Sequence, residues 1–254
     1  MSDLGGRTAL VTGASRGIGR AIAERFAASG AVVAVHYGRN DDAAKETLAT
    51  IEHSGGQGFL IRAELGVDGD VERLLEGLRE GLGDRPLDIL VSNAGILDAG
   101  PPDELTPSAF DRSFAINVRA PFFLIQRALP LLAEGGRVIN ISSAVTRIAS
   151  PFLHYAMTKG AVEVMSHSLA QTLGRRGITV NTVAAGVVDT DMGAWVHSSP
   201  VLEASVRATV ALGRIGQPAD IADIVAFLAS DDARWITGVT VDASGGQWLG
   251  PSAA

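Results

Sequence analysis

Short apolar runs alternate along the chain with longer segments in which apolar residues recur every three or four positions. The runs are rich in β-branched residues, which predicts buried strands, and the longer segments have the periodicity of amphipathic helices. The strands predicted in this way lie at 8–11, 31–36, 58–62, 87–91, 137–142, 178–183 and 238–242. The predicted helices lie at 17–29, 41–54, 69–81, 106–133 (with a break before Asn117), 153–174, 196–211 and 218–229.

Strand and helix follow each other over the whole length, and this alternation decides the fold class. Strands separated by helices pair in parallel, and right-handed crossovers place the helices on both faces of the sheet. We therefore expect an α/β fold, a Rossmann-type doubly wound, mostly parallel seven-stranded sheet, in a single domain covering 1–254. The segment 191–211, with Met192 and Trp195, is expected to close over substrate as a lid.

Composition narrows the class of protein further. The chain has 254 residues, 46% of them hydrophobic, and a formal net charge of -7, which argues against binding nucleic acid through a broad basic surface. No apolar stretch reaches the roughly 18 residues that suggest a membrane span, and the N-terminus lacks the basic and apolar parts of a signal peptide. Cysteine is absent and the histidines do not follow a metal-ligand spacing. We expect a cytoplasmic protein without a catalytic metal.

A glycine-rich turn lies between the first strand and the first helix, in the run Thr12-Gly13-Ala14-Ser15-Arg16-Gly17-Ile18-Gly19. Glycine lets the backbone approach a ligand, and a helix N-terminus offers free N–H groups and a positive dipole end to phosphate. A tight turn without a ligand would use similar residues, but the order of strand, turn and helix favours a dinucleotide site. The spacing differs from G-x-G-x-x-G, and no Gly-Lys-Ser/Thr follows as in a nucleoside-triphosphate loop.

Tyr155 and Lys159 are four residues apart in a predicted helix, so they share one helix face. A nearby ammonium favours the phenolate, and we expect Lys159 to lower the tyrosine pKa from its ordinary value of roughly 10. A tyrosine tuned in this way would exchange a proton with a carbonyl oxygen at neutral pH. The pair is weak evidence alone, because this spacing occurs by chance in many helices.

These motifs, together with others, resemble the short-chain dehydrogenase/reductase family over nearly the whole chain. Each motif alone is common, but in this order and spacing the set is highly specific. The overall pattern is similar to 3-oxoacyl-carrier-protein reductases and to broad carbonyl reductases. The residues that carry the resemblance are Thr12-Gly13-x-x-x-Gly17-x-Gly19, Asn93-Ala94-Gly95, Asn117, Ser142-Ser143, Tyr155-x-x-x-Lys159, Asn181 to Thr190, Leu212 to Pro218 and Thr237 to Gly246.

The resemblance implies a catalytic tetrad of Asn117, Ser143, Tyr155 and Lys159. In that scheme Tyr155 protonates the carbonyl oxygen during hydride transfer, and Ser143 holds the same oxygen by a hydrogen bond. Lys159 lowers the tyrosine pKa and binds the nicotinamide ribose, while Asn117 supports a water that links Lys159 to solvent. The spacing that the family usually has between its catalytic serine and tyrosine, counted back from Tyr155, would select Ser142 instead. We choose Ser143, because strand register is harder to change than loop length.

The end of the second strand bears on cofactor choice. Proteins that prefer NAD usually place an acid there, whereas this chain has His36-Tyr37-Gly38-Arg39-Asn40, with Arg16 in the glycine turn. Arginine suits a 2′-phosphate through its forked donors, so we predict NADP(H) over NAD(H), the alternative being two solvated arginines. The expected cofactor-binding residues are Gly13, Ser15, Arg16, Gly17, Ile18, Gly19, Tyr37, Arg39, Asn40, Glu64, Leu65, Asn93, Ala94, Gly95, Tyr155, Lys159, Gly186, Val188 and Thr190.

The expected substrate pocket is mostly apolar, which suggests a ketone or secondary alcohol with an uncharged body. Its walls should come from Ile96, Leu97, the 144–152 loop, Val187 and the segment around Trp195. We expect a small-molecule substrate, and neither nucleic acid nor a membrane as a partner. A catalytically silent dinucleotide sensor and a scaffold protein remain alternatives, but neither needs the intact tetrad.

Two expectations concern protein partners. A carrier-protein-bound substrate would require a basic patch at the pocket mouth, for which Arg119 and Arg147 are candidates. The family resemblance also implies a homotetramer, in which the helices near 106–133 and 153–174 pack across subunits. Ala161, Met165 and Leu169 are the residues expected to contribute to that contact.

Overall fold

All seven predicted strands are present and form one parallel sheet, which confirms the predicted fold class. The structure is a computed structural model that describes residues 3–98, 100–101, 103–150 and 152–249. The strand order is β3-β2-β1-β4-β5-β6-β7, so the direction of winding reverses between β1 and β4. The strands are β1 Thr8–Val11, β2 Val32–Tyr37, β3 Gln57–Arg62, β4 Leu87–Ser92, β5 Leu132–Ser143, β6 Thr179–Ala185 and β7 Thr240–Ala243.

Helices cover both faces of the sheet, because neighbouring residues of each strand point to opposite faces. Val11 and Val91 pack into one core with α1 and α8, and Leu10 and Leu90 pack into a second core with α3, α5 and α6. No helix of the described residues is long and apolar enough to cross a bilayer. The α-helices are α1 Gly17–Ala28, α2 Asp41–His53, α3 Asp70–Leu82, α4 Pro107–Phe114, α5 Ala120–Ala128, α6 Leu153–Leu173, α7 Pro200–Ala208 and α8 Pro218–Ala229.

The long helix predicted at 106–133 is divided, and its far end was predicted wrongly. Thr106 accepts a hydrogen bond from the Ala109 N–H at 3.2 Å and caps α4, which ends at Phe114. A π-helical turn, Ala115–Arg119, follows and carries Asn117, so the expected break surrounds this residue. Helix α5 ends at Ala128, and the chain enters β5 at Leu132, five residues before the predicted start at 137.

The helix predicted at 196–211 is also shorter than expected. A 3₁₀ segment, Asp191–Ser198, precedes α7 Pro200–Ala208. Ser199 caps α7 by accepting a hydrogen bond from the Leu202 N–H at 3.2 Å, and Pro200 is the first helical residue. A serine followed by proline is a helix start, so this short helix begins at 200.

Candidate active site

The predicted motifs meet at one edge of the sheet, where the strands end. The glycine turn follows β1, Asn93 follows β4, Ser143 is the last residue of β5 and Gly186 follows β6. These four strands are consecutive neighbours in the sheet, so their carboxyl ends lie side by side. This edge includes the switch point between β1 and β4, where doubly wound sheets bind their ligands.

The glycine turn requires glycine at three positions. Gly13 has φ +65° and Gly17 has φ +53°, both in the left-handed region that side chains disfavour. A Cβ on Gly19 would lie 2.2 Å from the Gly13 carbonyl oxygen and 2.5 Å from Nδ2 of Asn93. The turn therefore packs against the end of β4 more closely than any other residue type allows.

Asn93 and Thr12 fix the turn from the side of β4. Asn93 Nδ2 donates to the carbonyl oxygens of Thr12 at 2.9 Å and of Gly13 at 3.2 Å. The Thr12 hydroxyl in turn accepts from the N–H groups of Asn93 at 2.9 Å and of Ala94 at 3.0 Å. Asn93, predicted as a cofactor contact, therefore shapes the cofactor turn through its side chain.

The N-terminus of α1 faces this edge without a cap. Arg16 is the N-cap residue, with an extended backbone, and no side chain among the described residues hydrogen-bonds there. The first turn of α1 also contains no acidic residue. The N–H groups at the helix start and the positive end of the helix dipole are thus available to an anion.

The four residues of the expected tetrad converge beside the turn. Tyr155 and Lys159 lie on α6, both largely buried, with Lys159 Nζ 5.6 Å from the centroid of the Tyr155 ring. The Ser143 hydroxyl is near enough to the Tyr155 hydroxyl to lower its pKa. Asn117 is also buried, and both Asn117 and Lys159 lie close to Gly95. A Cβ on Gly95 would be 3.2 Å from Oδ1 of Asn117 and 3.6 Å from Nζ of Lys159.

The expected effect of Lys159 on Tyr155 is wrong for this geometry. Burial raises the pKa of Tyr155 to about 12, and the nearby Ser143 hydroxyl only partly opposes the rise. Lys159 donates to the Ile141 carbonyl at 2.8 Å, and burial lowers its pKa to about 8. The sequence argument included the charge of the amine but not the loss of water around the phenol, which is the larger effect here.

Asn117 is held by its neighbours through both ends of its amide. Its Oδ1 accepts from the Ile96 N–H at 2.9 Å, and its Nδ2 donates to the Ile96 carbonyl at 2.9 Å and to the Thr158 hydroxyl at 3.1 Å. The π-helical turn thereby connects the segment after β4 to α6. π-Helical turns inside helices are frequent at functional sites.

The two candidate serines have different surroundings. Ser142 is buried, and its hydroxyl donates to Glu163 at 2.7 Å on the side of the sheet covered by α6. Ser143 is half-buried at the end of β5, and its hydroxyl is the one that lies near Tyr155 and acts on its pKa. The Ser142 hydroxyl is already engaged with Glu163, which lies further along α6 than Tyr155, so Ser143 is the serine available beside Tyr155.

The two arginines predicted to bind phosphate both have carboxylate partners. Arg16 pairs with Asp191 at 2.9 Å, and Arg39 pairs with Glu64. The side chains of Arg16 and Arg39 are 71% and 76% exposed, and exposed ion pairs are weak. Both guanidiniums can therefore leave their carboxylate partner and bind a more highly charged anion.

Some predicted cofactor contacts have their side chains engaged elsewhere. Tyr37 is buried, and burial is the largest cause that raises the pKa of its hydroxyl, with a smaller effect from Asp41. Asn40 caps α2 by accepting from the Ala43 N–H at 3.0 Å, and Leu65 packs against the core. Glu64, another expected cofactor contact, forms the ion pair with Arg39 described above.

The segment after β6 reaches back to the glycine turn. A Cβ on Gly186 would lie 2.9 Å from Oε1 of Gln247, and Val188 is buried. A Cβ on Gly17 would lie 3.2 Å from Cγ2 of Thr190. Thr190 thus packs against the glycine turn, directly before the expected lid segment.

Apolar and aromatic side chains line the side of the expected lid. The rings of Phe152 and Trp195 are 6.5 Å apart at an interplanar angle of 58°. Trp195 and Met192 are both substantially exposed. Sequence reasoning placed Trp195 and the 144–152 loop in the pocket wall, but the pairing of the two rings depends on the fold.

Comparison with known proteins assigns the chain to a family. The family described as enoyl-(acyl carrier protein) reductase matches residues 13–247. The chain belongs to this family of short-chain dehydrogenases/reductases, as the sequence motifs indicated, and it is an oxidoreductase.

Solved structures and characterised relatives extend the comparison. The angucycline C-6 ketoreductase LanV, solved with bound NADP, is 52% identical, with 98% of each chain covered and a TM-score of 0.93. The reductase LugOII, which catalyses keto-reduction at C1 during lugdunomycin biosynthesis, is 49% identical, with 98% of this chain and 100% of that chain covered and a TM-score of 0.92. Tetrahydroxynaphthalene reductase of Pyricularia oryzae is 36% identical over 258 residues, covering 96% of this chain and 90% of the relative.

Proposed function

We propose that this protein is an NADP(H)-dependent ketoreductase that reduces a ketone on a fused-ring aromatic compound, with Tyr155 as the proton donor. The observation that carries the proposal is the convergence of Ser143, Tyr155, Lys159 and Asn117 beside the glycine turn. A carbonyl oxygen placed between the hydroxyls of Ser143 and Tyr155 would receive a hydrogen bond from each, next to the site where a nicotinamide would lie.

The residues at the sheet edge fit a dinucleotide. The uncapped start of α1 suits its pyrophosphate, and Lys159 and Asn117, which lie close to Gly95, are assigned to the ribose end of the cofactor. NADPH supplies hydride when it is bound, and the protein supplies position and electrostatics. Arg16 and Arg39, both exposed, are the residues we assign to the 2′-phosphate.

Tyr155 is the proposed acid, because its phenol is protonated at neutral pH and lies beside Ser143 and Lys159 near the glycine turn. Reduction needs a proton at the carbonyl oxygen as negative charge develops there. Ser143 is assigned to hold that oxygen, and its hydrogen bond stabilises the transition state more than the ground state.

Lys159 and Asn117 are assigned to the supply of that proton. The pKa of Lys159 is lowered to about 8, so its amine exchanges protons near neutral pH. Asn117 fixes the π-helical turn beside Lys159 through its hydrogen bonds to Ile96 and Thr158. We assign to Asn117 the support of the water through which Lys159 reaches solvent.

The substrate class is inferred from the relatives and from the pocket wall. The names of LanV and tetrahydroxynaphthalene reductase give an angucycline and a fused-ring polyphenol as their substrates. In this chain, Phe152 and Trp195 would offer aromatic faces to such a planar compound, and Met192 adds apolar surface. We propose that the 191–211 segment acts as the lid over it.

A 3-oxoacyl group on a carrier protein is the second candidate substrate, because the matching family is described by an acyl-carrier-protein reaction. The two arginines expected at the pocket mouth are both close to carboxylates. Arg147 pairs with Asp242 at 2.7 Å, and Arg119 lies 3.9 Å from Asp70. This pairing reduces the positive charge available to an acidic carrier, so we favour the fused-ring ketone.

We propose a homotetramer whose contact uses α5 and α6. Phe122, Met157 and Val164 on these helices are 41%, 46% and 69% exposed, an apolar surface that a second subunit would cover. Of the residues expected in the contact, Met165 and Leu169 instead pack partly against the core of their own chain. Light scattering at micromolar concentration tests the assembly, and a monomer would contradict it.

The test of the proposed function is a substrate panel assayed with NADPH and with NADH. We expect NADPH oxidation with a fused-ring hydroxyaromatic ketone, at a higher kcat/KM than with an acyclic ketone or a 3-oxoacyl thioester. Tyr155→Phe keeps the ring and removes the hydroxyl, so its kcat should fall by about a hundredfold to ten-thousandfold, the usual contribution of a general acid. Full activity of that variant, or binding of NADPH without any turnover on the panel, would contradict the proposal.

A further inference from the structure

His36 is a buried histidine at the end of β2 with both ring nitrogens engaged. The residue is 2% exposed. Its Nδ1 lies 3.2 Å from the backbone nitrogen of Gly13, and its Nε2 lies 2.9 Å from the carbonyl oxygen of Ala63. A backbone N–H can only donate and a carbonyl can only accept, so the ring accepts at Nδ1 and donates at Nε2. Only the neutral ring, protonated at Nε2, satisfies both contacts.

The backbone of the same residue holds the next N–H of the turn. The carbonyl oxygen of His36 accepts from the Ala14 N–H at 2.8 Å. Two consecutive N–H groups, those of Gly13 and Ala14, are therefore held by one residue on the β2 side. Asn93 holds the carbonyl oxygen of Gly13 from the β4 side at 3.2 Å. The peptide groups of the turn are thus fixed between two strands.

We propose that the neutral imidazole of His36 is a positioning residue for the cofactor, because it holds Gly13 in the conformation that presents the glycine turn to the dinucleotide. The proposal rests on the NADP(H) binding put forward above. His36 itself touches neither the cofactor nor the substrate in this scheme. It acts through the backbone of Gly13: glycine is free to adopt many conformations, and the hydrogen bond to His36 restricts it to the one in the turn, with φ +65°.

The charge state of His36 follows from its surroundings. Burial is the largest cause that lowers the pKa of His36 to about 4, against a smaller raising effect of the Ala63 carbonyl. Two pairs of nearby charged groups from β2, β3, α2 and the following loops partner each other: Arg39 with Glu64, and Arg62 with Asp41 at 3.3 Å; Tyr37 is buried, and its pKa is raised. A proton on Nδ1 of His36 would point at the N–H of Gly13. Two donors cannot hydrogen-bond to each other, so the contact that holds Gly13 would be lost.

Three substitutions separate the contacts of the ring. In His36→Asn the amide oxygen takes the place of Nδ1 and can still accept from Gly13. In His36→Gln the longer amide reaches toward Ala63 in place of Nε2 but leaves Gly13 without an acceptor near Cγ. His36→Leu removes both contacts. His53→Leu, at an exposed histidine on α2, is the matched control.

The readouts are the Kd for NADPH, the steady-state parameters, and the melting temperature of the cofactor-free protein. We expect the Leu and Gln variants to raise the Kd and KM for NADPH by about tenfold, the effect of one lost hydrogen bond to a buried N–H. Their kcat at saturating NADPH should stay within about threefold, and the Asn variant should recover most of the affinity. The His53→Leu control should leave the Kd unchanged.

A second readout uses pH, because a merely structural residue would not link protonation to cofactor affinity. The ratio of the wild-type Kd to the His36→Asn Kd should rise as the pH falls from about 7 toward 4, since groups common to both proteins cancel in the ratio. The proposal would be overturned if the Asn, Gln and Leu variants bound NADPH with equal affinity at matched melting temperature. It would also be overturned if the ratio of the wild-type Kd to the His36→Asn Kd did not change with pH. If wild-type protein fails to bind NADPH, the proposed function fails instead.

Discussion

The glycine turn and the segment from 186 to 216 flank the same site, but they are held by different interactions. The turn is fixed by hydrogen bonds at buried strand ends: Gly13 donates its N–H to His36, Asn93 donates to the carbonyl oxygens of Thr12 and Gly13, and the Thr12 hydroxyl accepts from the Asn93 N–H. The segment from 186 to 216 has buried side chains such as Val196 and backbone hydrogen bonds, but its exposed face is held by ion pairs, such as Arg16 with Asp191 at 2.9 Å, and His197 with Asp189 at 3.2 Å.

This difference separates two functions of the site. Hydrogen bonds to buried backbone are costly to lose, so the cofactor turn has one geometry that sequence change rarely improves. Exposed ion pairs contribute little and rearrange easily, so we expect the exposed face of the proposed lid, 191–211, to move and to tolerate the exchange of its side chains. In the proposed scheme the sheet edge carries the chemistry, and the more adaptable segment selects the substrate.

We call the sheet edge with the glycine turn the fixed region. The largest effect predicted there is the difference between the two serines, Ser142 and Ser143. Ser143→Ala removes a hydrogen bond to the reacting oxygen and should lower kcat by about a hundredfold, as for the loss of one oxyanion donor. Ser142→Ala removes the bond to Glu163, which keeps a second donor in Thr146 at 3.1 Å, so kcat should change by less than about threefold. Steady-state kinetics of both variants with saturating NADPH measures the two losses, and the reverse ranking would overturn the assignment.

An intermediate effect is predicted for the exposed arginine at the end of β2. Arg39→Ala should reduce the preference for NADPH over NADH by about tenfold, because one charge-assisted bond to the 2′-phosphate is lost. The comparison of kcat/KM for the two cofactors measures it. Arg62→Ala, which removes the partner of Asp41 rather than of Glu64, is the control and should leave the preference unchanged. An unchanged preference in Arg39→Ala would show that this arginine does not read the phosphate.

The smallest effect is predicted in the lid. Trp195→Ala should raise the KM for a fused-ring ketone by about threefold to tenfold through lost aromatic contact. The KM for an acyclic ketone and the Kd for NADPH should stay within about twofold, because the fixed region is untouched. Titration of both ligands tests this separation. A weaker affinity of Trp195→Ala for NADPH would contradict the assignment of substrate binding and cofactor binding to separate regions.

Most of the fold was predictable because it depends on local pattern. The apolar runs and the helical periodicity gave all seven strands, and the order of strand, glycine turn and helix located the cofactor edge. The start of the helix predicted at 106 was also placed correctly, with Thr106 as the cap residue. The end of the fourth predicted helix was misplaced, because the stop at Ala128 follows from the pairing of β5 with β4, a contact that periodicity does not contain.

The parts of the site that escaped prediction depend on distant contacts. The partner of Arg16 is 175 residues away at Asp191, and no local signal links them. The raised pKa of Tyr155 follows from burial by several elements, whereas the sequence shows only the lysine one turn later. His36 carried no recognisable motif, although a histidine at a strand end beside a glycine turn is a signal that could be sought in other chains.

A crystal structure with NADP(H) and a bound ketone analogue tests the central claim most directly. The account predicts that the hydroxyl of Tyr155 lies about 2.6–3.2 Å from the ketone oxygen. It also predicts that the ketone carbon lies about 3–3.5 Å from the hydride-bearing carbon of the nicotinamide. A complex in which the ring is bound in the cleft while the Tyr155 hydroxyl remains out of hydrogen-bonding reach of the ketone would contradict the assignment of Tyr155 as the proton donor.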